Sequence, residues 1–148
     1  MGEPQEAIRN LLGRYCELMD GADWAGLGAL FAHARLTEEH GQVVAEGADG
    51  VRALYEGGTQ LHDGRPDTRH ITANTVIELD EGGQTATTRS SYVVFQAAPD
   101  LALQPIIAGR YRDRFEQVEG VWRFVERCFF VDQVGDLSHH LTYTLPPS

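Results

Sequence analysis

The chain has 148 residues, of which 42% are hydrophobic and 23% charged, the size and balance of one globular domain with room for an internal pocket. Its formal net charge of -10 at pH 7 argues against nucleic acid or an anionic membrane surface as a partner. No apolar run approaches the roughly 18 residues of a membrane span, and the polar first residues do not have the pattern of a signal peptide. We therefore predict a single cytoplasmic domain over residues 1–148, in which Cys16 and Cys128 are free thiols.

The first sixty residues carry helical patterns. Apolar side chains recur at helical spacing between Ile8 and Met19, and Pro4 suits a first helical turn, so a helix is predicted over about residues 4–20. A short second helix is predicted over residues 24–31, followed by a small hairpin over residues 36–46. Asp49 is predicted to cap a third helix.

The second half of the chain has the composition of β-strands. Four long segments are rich in β-branched and aromatic residues, namely 69–79, 85–97, 103–118 and 121–133. Short turn signals separate them, which predicts an antiparallel meander. Helices followed by antiparallel strands are typical of an α+β domain with the helices on one face of the sheet. The mixed tail after residue 133 is predicted to cover a pocket mouth or a neighbouring subunit.

One acidic residue opposes the electrostatics of the predicted first helix. Asp20 stands at its C-terminal end, where a negative charge opposes the helix dipole at a cost of a few tenths to about 1 kcal/mol. Asp20 also continues the row of Leu12 and Cys16 along the edge of the apolar face. It is either a residue that ends the helix beside Gly21 or a functional carboxylate that has a partner elsewhere.

His70 is the histidine whose position is most informative. Strand alternation places His70 and Asn74 on the same face, which either lines a polar cavity or faces solvent. Arg127 lies outside the alternation of Trp122 and Phe124, and could reach a pocket or an interface.

Three stretches resemble the SnoaL-like branch of the nuclear transport factor 2-like superfamily. They are residues 15–24, residues 69–74, and residues 109–113 followed by 120–127. The resemblance covers about residues 5–133 and leaves 134–148 as a C-terminal tail. It implies a cystatin-like cone, in which a strongly curved antiparallel sheet packs on about three N-terminal helices and encloses a pocket.

Two enzyme types of this superfamily, scytalone dehydratase and hexachlorocyclohexane dehydrochlorinase, have an Asp-His pair at matching positions. The resemblance implies that Asp20 and His70 form the catalytic pair here, with Arg127 as a third catalytic residue. Met19 replaces the tyrosine that precedes the acid in scytalone dehydratase, and that enzyme's second pocket histidine falls near Phe95. The resemblance therefore implies a different substrate.

The leading hypothesis is a lyase or isomerase (dehydratase, dehydrohalogenase, cyclase or ketosteroid-isomerase-like) that needs no cofactor or metal. His70 would be the general base for a small hydrophobic or aromatic substrate. The alternatives are a non-catalytic ligand-binding or accessory subunit, and epoxide-hydrolase-like water activation through Asn74 and Asp113. A homo-oligomer is expected, a dimer or a trimer. The candidate substrate-binding residues are aromatic or amide side chains: Tyr15, Trp24, Tyr55, Asn74, Tyr92 and Tyr111.

Overall fold

The computed structural model describes residues 3–146, which form three helices and a six-stranded sheet. The helices are α1 (Pro4–Asp20), α2 (Trp24–Leu30) and α3 (Gly47–Gly58). The strands are β1 (Arg35–Glu38), β2 (Val43–Glu46), β3 (Thr68–Leu79), β4 (Thr85–Ala98), β5 (Leu101–Val118) and β6 (Val121–Val134). The α+β prediction is confirmed, and the bounds of α1 agree with it to the residue.

The predicted cap of the third helix is wrong. Helix α3 begins at Gly47, and its cap position is Glu46, whose side chain makes no capping hydrogen bond. Gly47 has a φ of +73°, so the chain turns directly from β2 into the helix through a conformation that favours glycine. Asp49 lies inside the first turn, where its charge is favourable to the helix dipole.

The sheet has the strand order β2-β1-β6-β5-β4-β3 and is curved and unclosed. Strands β3 to β6 form the predicted antiparallel meander. The hairpin of β1 and β2 joins it through a parallel pairing of β1 with β6, so the sheet is antiparallel except at this one pair. Helix α1 contacts β3 and β6, while α2 packs between α1 and α3.

The core lies between the helices and the inner face of the sheet. Helix α1 buries one stripe of side chains there, consisting of Ile8, Leu12, Tyr15, Leu18 and Met19. Phe31 packs at a centroid distance of 4.6 Å from Phe124, which lies 4.6 Å from Phe115. Within residues 3–146, no helix is long and apolar enough to cross a membrane.

Two β-bulges change which side chains face the core. On β3, Asn74 and Thr75 stand where β4 contributes a single residue, and Asn74 has a φ of +55°. On β6, Val125 is the extra residue in the pairing with β5. Since one extra residue reverses the alternation beyond it, the first bulge turns Asn74 away from the face of His70 and the second brings Arg127 to the core face.

Candidate active site

Asp20 and His70 are in direct contact where the end of α1 meets the start of β3. The Nδ1 of His70 lies 2.6 Å from Oδ1 of Asp20, and the His70 main-chain N–H donates to Oδ2 at 2.9 Å. The hydroxyl of Thr68 donates to Oδ1 at 2.9 Å. The predicted contact is therefore present, and main-chain and side-chain donors of β3 hold the carboxylate in place.

The environment of Asp20 keeps its carboxyl ionised. Burial alone would raise the pKa of Asp20, but the hydrogen bonds and charge of His70, together with the Thr68 hydroxyl, outweigh burial and lower it. Because an ionised carboxylate only accepts hydrogen bonds, the Nδ1 of His70 carries a proton and donates a hydrogen bond to Asp20. The other ring nitrogen, Nε2, makes no hydrogen bond within the described residues. This is the tautomer in which Nε2 can accept a proton.

The four predicted binding tyrosines contact one another in series, and Tyr15 joins the series to His70. Tyr15 packs edge-on against His70 at a centroid distance of 6.1 Å, and its hydroxyl lies 3.1 Å from that of Tyr55. Tyr111 packs against Tyr15 at 6.0 Å and stacks on Tyr92 at 4.4 Å. Burial raises the pKa of all four hydroxyls above the usual value of 10.0. They are therefore protonated at neutral pH and can donate hydrogen bonds.

Arg127 is part of a buried ion pair. The side chains of Arg127 and Asp113 have no exposed area, and two hydrogen bonds of 2.7 and 3.0 Å join them. The guanidinium carbon lies 4.4 Å from the centroid of the Tyr15 ring and 3.6 Å from that of Tyr111. Burial acts to lower the pKa of Arg127, but the Asp113 charge outweighs it and keeps the arginine cationic.

The arginine predicted as a third catalytic residue makes its side-chain hydrogen bonds to Asp113. No hydrogen bond joins Arg127 to Asp20 or His70 within residues 3–146. The Nη1 atom of Arg127 is buried without a partner in the same part of the chain. Asp113, one of the two residues proposed for water activation, accepts a hydrogen bond from Arg127 at each carboxylate oxygen and a third from the Thr88 hydroxyl at 3.4 Å. The catalytic role of Arg127 stays a prediction.

Asn74 does not lie on the face of His70, where strand alternation predicts it. It is exposed, and with Arg89, Arg110 and Arg112 it lines a hollow of about 260 Å³ on the outer face of the sheet. The bulge at Asn74 is the cause, since it interrupts the alternation that would have kept Asn74 beside His70.

Trp24, another predicted binding residue, is 8% exposed and belongs to the hydrophobic core.

A residue that was not predicted, His140, lies beside His70. Its ring centroid is 6.3 Å from that of His70, and the residue is 6% exposed. Burial, followed by the nearby charge of His70, lowers the pKa of His140 to about 4. Its sequence signal was weak, namely two adjacent histidines in a tail that also contains Leu137 and Leu141.

Several solved structures are similar to this fold. An Asp-to-Asn variant of Rv3472, a protein of unknown function from Mycobacterium tuberculosis, is 26% identical over 86% of this chain and 71% of its own, with a TM-score of 0.69. A proposed scytalone dehydratase from Novosphingobium aromaticivorans is 21% identical over 96% and 89% of the two chains, with a TM-score of 0.72. LinA is 20% identical over 97% and 94%, with a TM-score of 0.70.

A search among curated proteins gave no significant match. The family model of the SnoaL-like domain matches residues 3–128 of this sequence. These residues include Asp20, His70 and all of the sheet except the end of β6. The match covers far more than half of the chain. The protein therefore belongs to the SnoaL-like domain family.

Proposed function

We propose that this protein is a lyase or isomerase in which His70 removes a proton from a carbon atom of a small apolar or aromatic compound. The observation that carries the proposal is the 2.6 Å contact between Nδ1 of His70 and Oδ1 of Asp20. A half-buried carboxylate that fixes the tautomer of a buried histidine leaves Nε2 as a positioned general base. Elimination of water or halide, double-bond migration and ring closure all share this first step.

Asp20 would stabilise the charge that forms on His70. When Nε2 takes up a proton, the imidazolium lies against an ionised carboxylate, and an opposite charge within about 4–6 Å favours the charged form. The carboxylate does not need to move, because Thr68 and the main chain of His70 already hold it. The pair would thus be organised before the reaction begins, which is the usual condition for electrostatic catalysis.

The tyrosine hydroxyls are candidates for stabilising negative charge on the substrate. Tyr15 and Tyr55 are close enough to share a hydrogen bond, so one hydroxyl can donate to the other and the second can donate to a ligand. The guanidinium carbon of Arg127 lies 4.4 Å from the centroid of the Tyr15 ring, but Asp113 balances its charge, so we assign this role to the two hydroxyls. They would stabilise an oxygen that becomes negative as the proton leaves carbon.

The test uses compounds with an activated C–H bond in deuterated buffer. Three probes cover the reaction class: 2-tetralone, a β,γ-unsaturated cyclic ketone and a β-hydroxy ketone. Proton NMR reports α-proton exchange, double-bond migration and elimination in one experiment. We expect turnover of at least one probe, and a loss of about 10²–10⁴ in rate for His70→Ala.

Two further variants make the test specific. Asp20→Asn should lower the rate and shift the ¹⁵N signals of His70, because the amide no longer fixes the tautomer as the carboxylate does. His40→Ala is the matched control, since its side chain is 83% exposed on the β1–β2 hairpin. A folded wild-type protein that converts none of the three probes, or a His70→Ala variant with full activity, would refute the proposal.

A second candidate function is ligand binding or support of another subunit without chemistry. The observation that favours it is the close packing around His70, where Tyr15 and His140 are both in ring contact. The described hollows of about 260 and 230 Å³ lie on the outer face of the sheet. Binding of an aromatic probe without any proton exchange would favour this function.

A further inference from the structure

The C-terminal segment, residues 135–146, lies over the end of the sheet at which His70 is placed. It leaves β6 through a hydrogen bond from the Gly135 N–H to the carbonyl of Ile106 at 2.7 Å. It then runs beside the chain that connects α3 to β3, and Thr59 forms a β-bridge with Leu141. The segment therefore packs against its own chain, and its predicted role as the cover of a pocket mouth stays a prediction.

Hydrogen bonds fix the main chain of this segment on both sides of His140. The N–H of Gln60 donates to the carbonyl of His140 at 2.7 Å, and the N–H of Thr142 donates to the carbonyl of Gly58 at 3.0 Å. On the other side, Nε2 of Gln96 donates to the carbonyl of His139 at 3.0 Å. Gln96 is a core-facing residue of β4, 1% exposed, so the segment is tied to the sheet as well as to the loop.

The side chain of His140, in contrast, has an unused polar atom. Its Nδ1 is buried and has no hydrogen-bond partner within the described residues. Buried polar groups in proteins nearly always have a partner, and exceptions commonly mark a bound water or a functional role. The ring makes edge-to-face contact with His70 at 6.3 Å, so the unused nitrogen belongs to the surroundings of the proposed base.

We propose that His140 is a second binding residue of the site, which donates a hydrogen bond to an oxygen of the bound compound. This inference rests on the proposed function and extends it. As His70 takes a proton from carbon, the electron pair of the C–H bond moves toward the adjacent carbonyl, whose oxygen becomes negative. His140 holds that oxygen by a hydrogen bond and transfers no proton, so the only proton that changes place is the one received by Nε2 of His70.

The charge state of His140 agrees with this role. With a pKa of about 4, lowered by burial and by His70 and raised by Asp20, the imidazole is neutral at pH 7. A neutral imidazole keeps one N–H for donation and avoids a second positive charge beside the imidazolium that forms on His70. A hydrogen-bond donor of this kind is what an enolate oxygen requires.

The contact between the two rings makes ligand binding observable at His140. Because the rings already touch, a planar compound that inserts between His70 and His140 has to separate the two rings by about the thickness of an aromatic ring, roughly 3.5 Å. The ring signals of His140 should therefore change whenever the site is occupied. No turnover is needed to observe this effect.

The experiment uses 2-naphthol, a stable aromatic analogue of the enol of 2-tetralone. Full-length ¹⁵N-labelled protein is titrated with 2-naphthol, and the imidazole signals and the dissociation constant are followed. We expect shifted His140 signals in the wild type and about tenfold weaker binding by His140→Ala, the effect of one hydrogen bond. His140→Gln should recover part of the affinity because its amide can donate. His139→Gln is the matched control, since the His139 ring lies near His62.

Three results would overturn the inference: no binding to the wild type at millimolar concentration, unchanged His140 signals at saturation, or equal or tighter binding by His140→Ala. Failure of the proposed catalysis gives a different result. A wild-type protein that binds 2-naphthol through His140 but exchanges no proton of 2-tetralone would support the role of His140 in binding and refute the role of His70 as a base.

Discussion

The burial of His140 predicts a specific dependence of stability on pH. The pKa of this group is about 4 in the folded protein and 6.5 when exposed. Between these values the unfolded chain binds a proton that the folded chain does not, so stability falls as pH falls below 6.5. At 1.36 kcal/mol per unit, the complete loss is about 3 kcal/mol, of which about 2 kcal/mol arises between pH 7 and pH 5.

Replacement of His140 by Gln removes this contribution and leaves the other titrating groups in place. The free energy of unfolding would be measured by urea denaturation at pH 7 and pH 5 for the wild type, His140→Gln and the control His139→Gln. We expect the wild type to lose about 2 kcal/mol more than His140→Gln over this interval. Asp20 and His70 face His140 in the site and are present in all three proteins, so the difference measures His140 together with its electrostatic coupling to these two groups.

Equal losses of unfolding free energy between pH 7 and pH 5 in the wild type and in His140→Gln would refute this prediction. They would mean that His140 binds its proton equally well in the folded and unfolded chain, which a buried nitrogen without a partner cannot do. A larger loss in the variant would be equally contradictory. In either case the C-terminal segment would have to be open in solution, and the contact between His140 and His70 would not be the resting state.

Two further predictions concern the ion pair of Arg127 with Asp113 and the bulge at Asn74. Arg127→Met should lower the free energy of unfolding by about 3–5 kcal/mol, because it leaves Asp113 buried and unpaired. The double variant Arg127→Met with Asp113→Leu should lose less stability than Arg127→Met alone. Additive losses of stability in urea denaturation would contradict the ion pair. Asn74→Ala should destabilise the protein by about 1–2 kcal/mol, because the left-handed conformation is unfavourable for alanine. Asn74→Gly should be close to neutral, because asparagine and glycine largely avoid this cost. Equal thermal stability of the two Asn74 variants would contradict the strained bulge.

The parts of the fold that local chemistry determines could be predicted from the sequence. Helix α1 begins at a proline and carries an apolar stripe, and both features depend on residues within a few positions of one another. The hairpin turn at Gly41, with a φ of +85°, and the turn at Gly120, with a φ of +82°, are likewise local. The strands between such turns could only form an antiparallel meander.

The positions of the bulges could not be predicted in this way. Alternation assigns each strand residue to a face only while every residue is paired, and one extra residue reverses the assignment for all that follow. This is why alternation predicts that Asn74 shares the face of His70 and does not decide between a pocket and an interface for Arg127. The only local signal was that asparagine tolerates a positive φ better than most residues, and asparagine is also common elsewhere.

The position of His140 beside His70 could not be predicted from the sequence, for a different reason. Its place depends on hydrogen bonds to main-chain atoms of Gly58 and Gln60, which lie about eighty positions earlier in the chain. Every residue offers such main-chain atoms, so the sequence contains no pattern that marks the docking site. The burial of the ring follows from the docking and is visible only in the folded molecule.

The position of Asp20 is explained by the charge that the proposed reaction places beside it. As an isolated carboxylate at the end of α1 it is unfavourable, since the last turn of the helix contains no basic residue. Thr68 and the main-chain N–H of His70 compensate part of this cost by hydrogen bonding. A proton received by His70 adds a cation next to both Asp20 and the negative end of the helix dipole, and both interactions favour it. The helix end that is unfavourable for Asp20 alone is therefore favourable for Asp20 together with the imidazolium of His70, which is the state that proton abstraction requires.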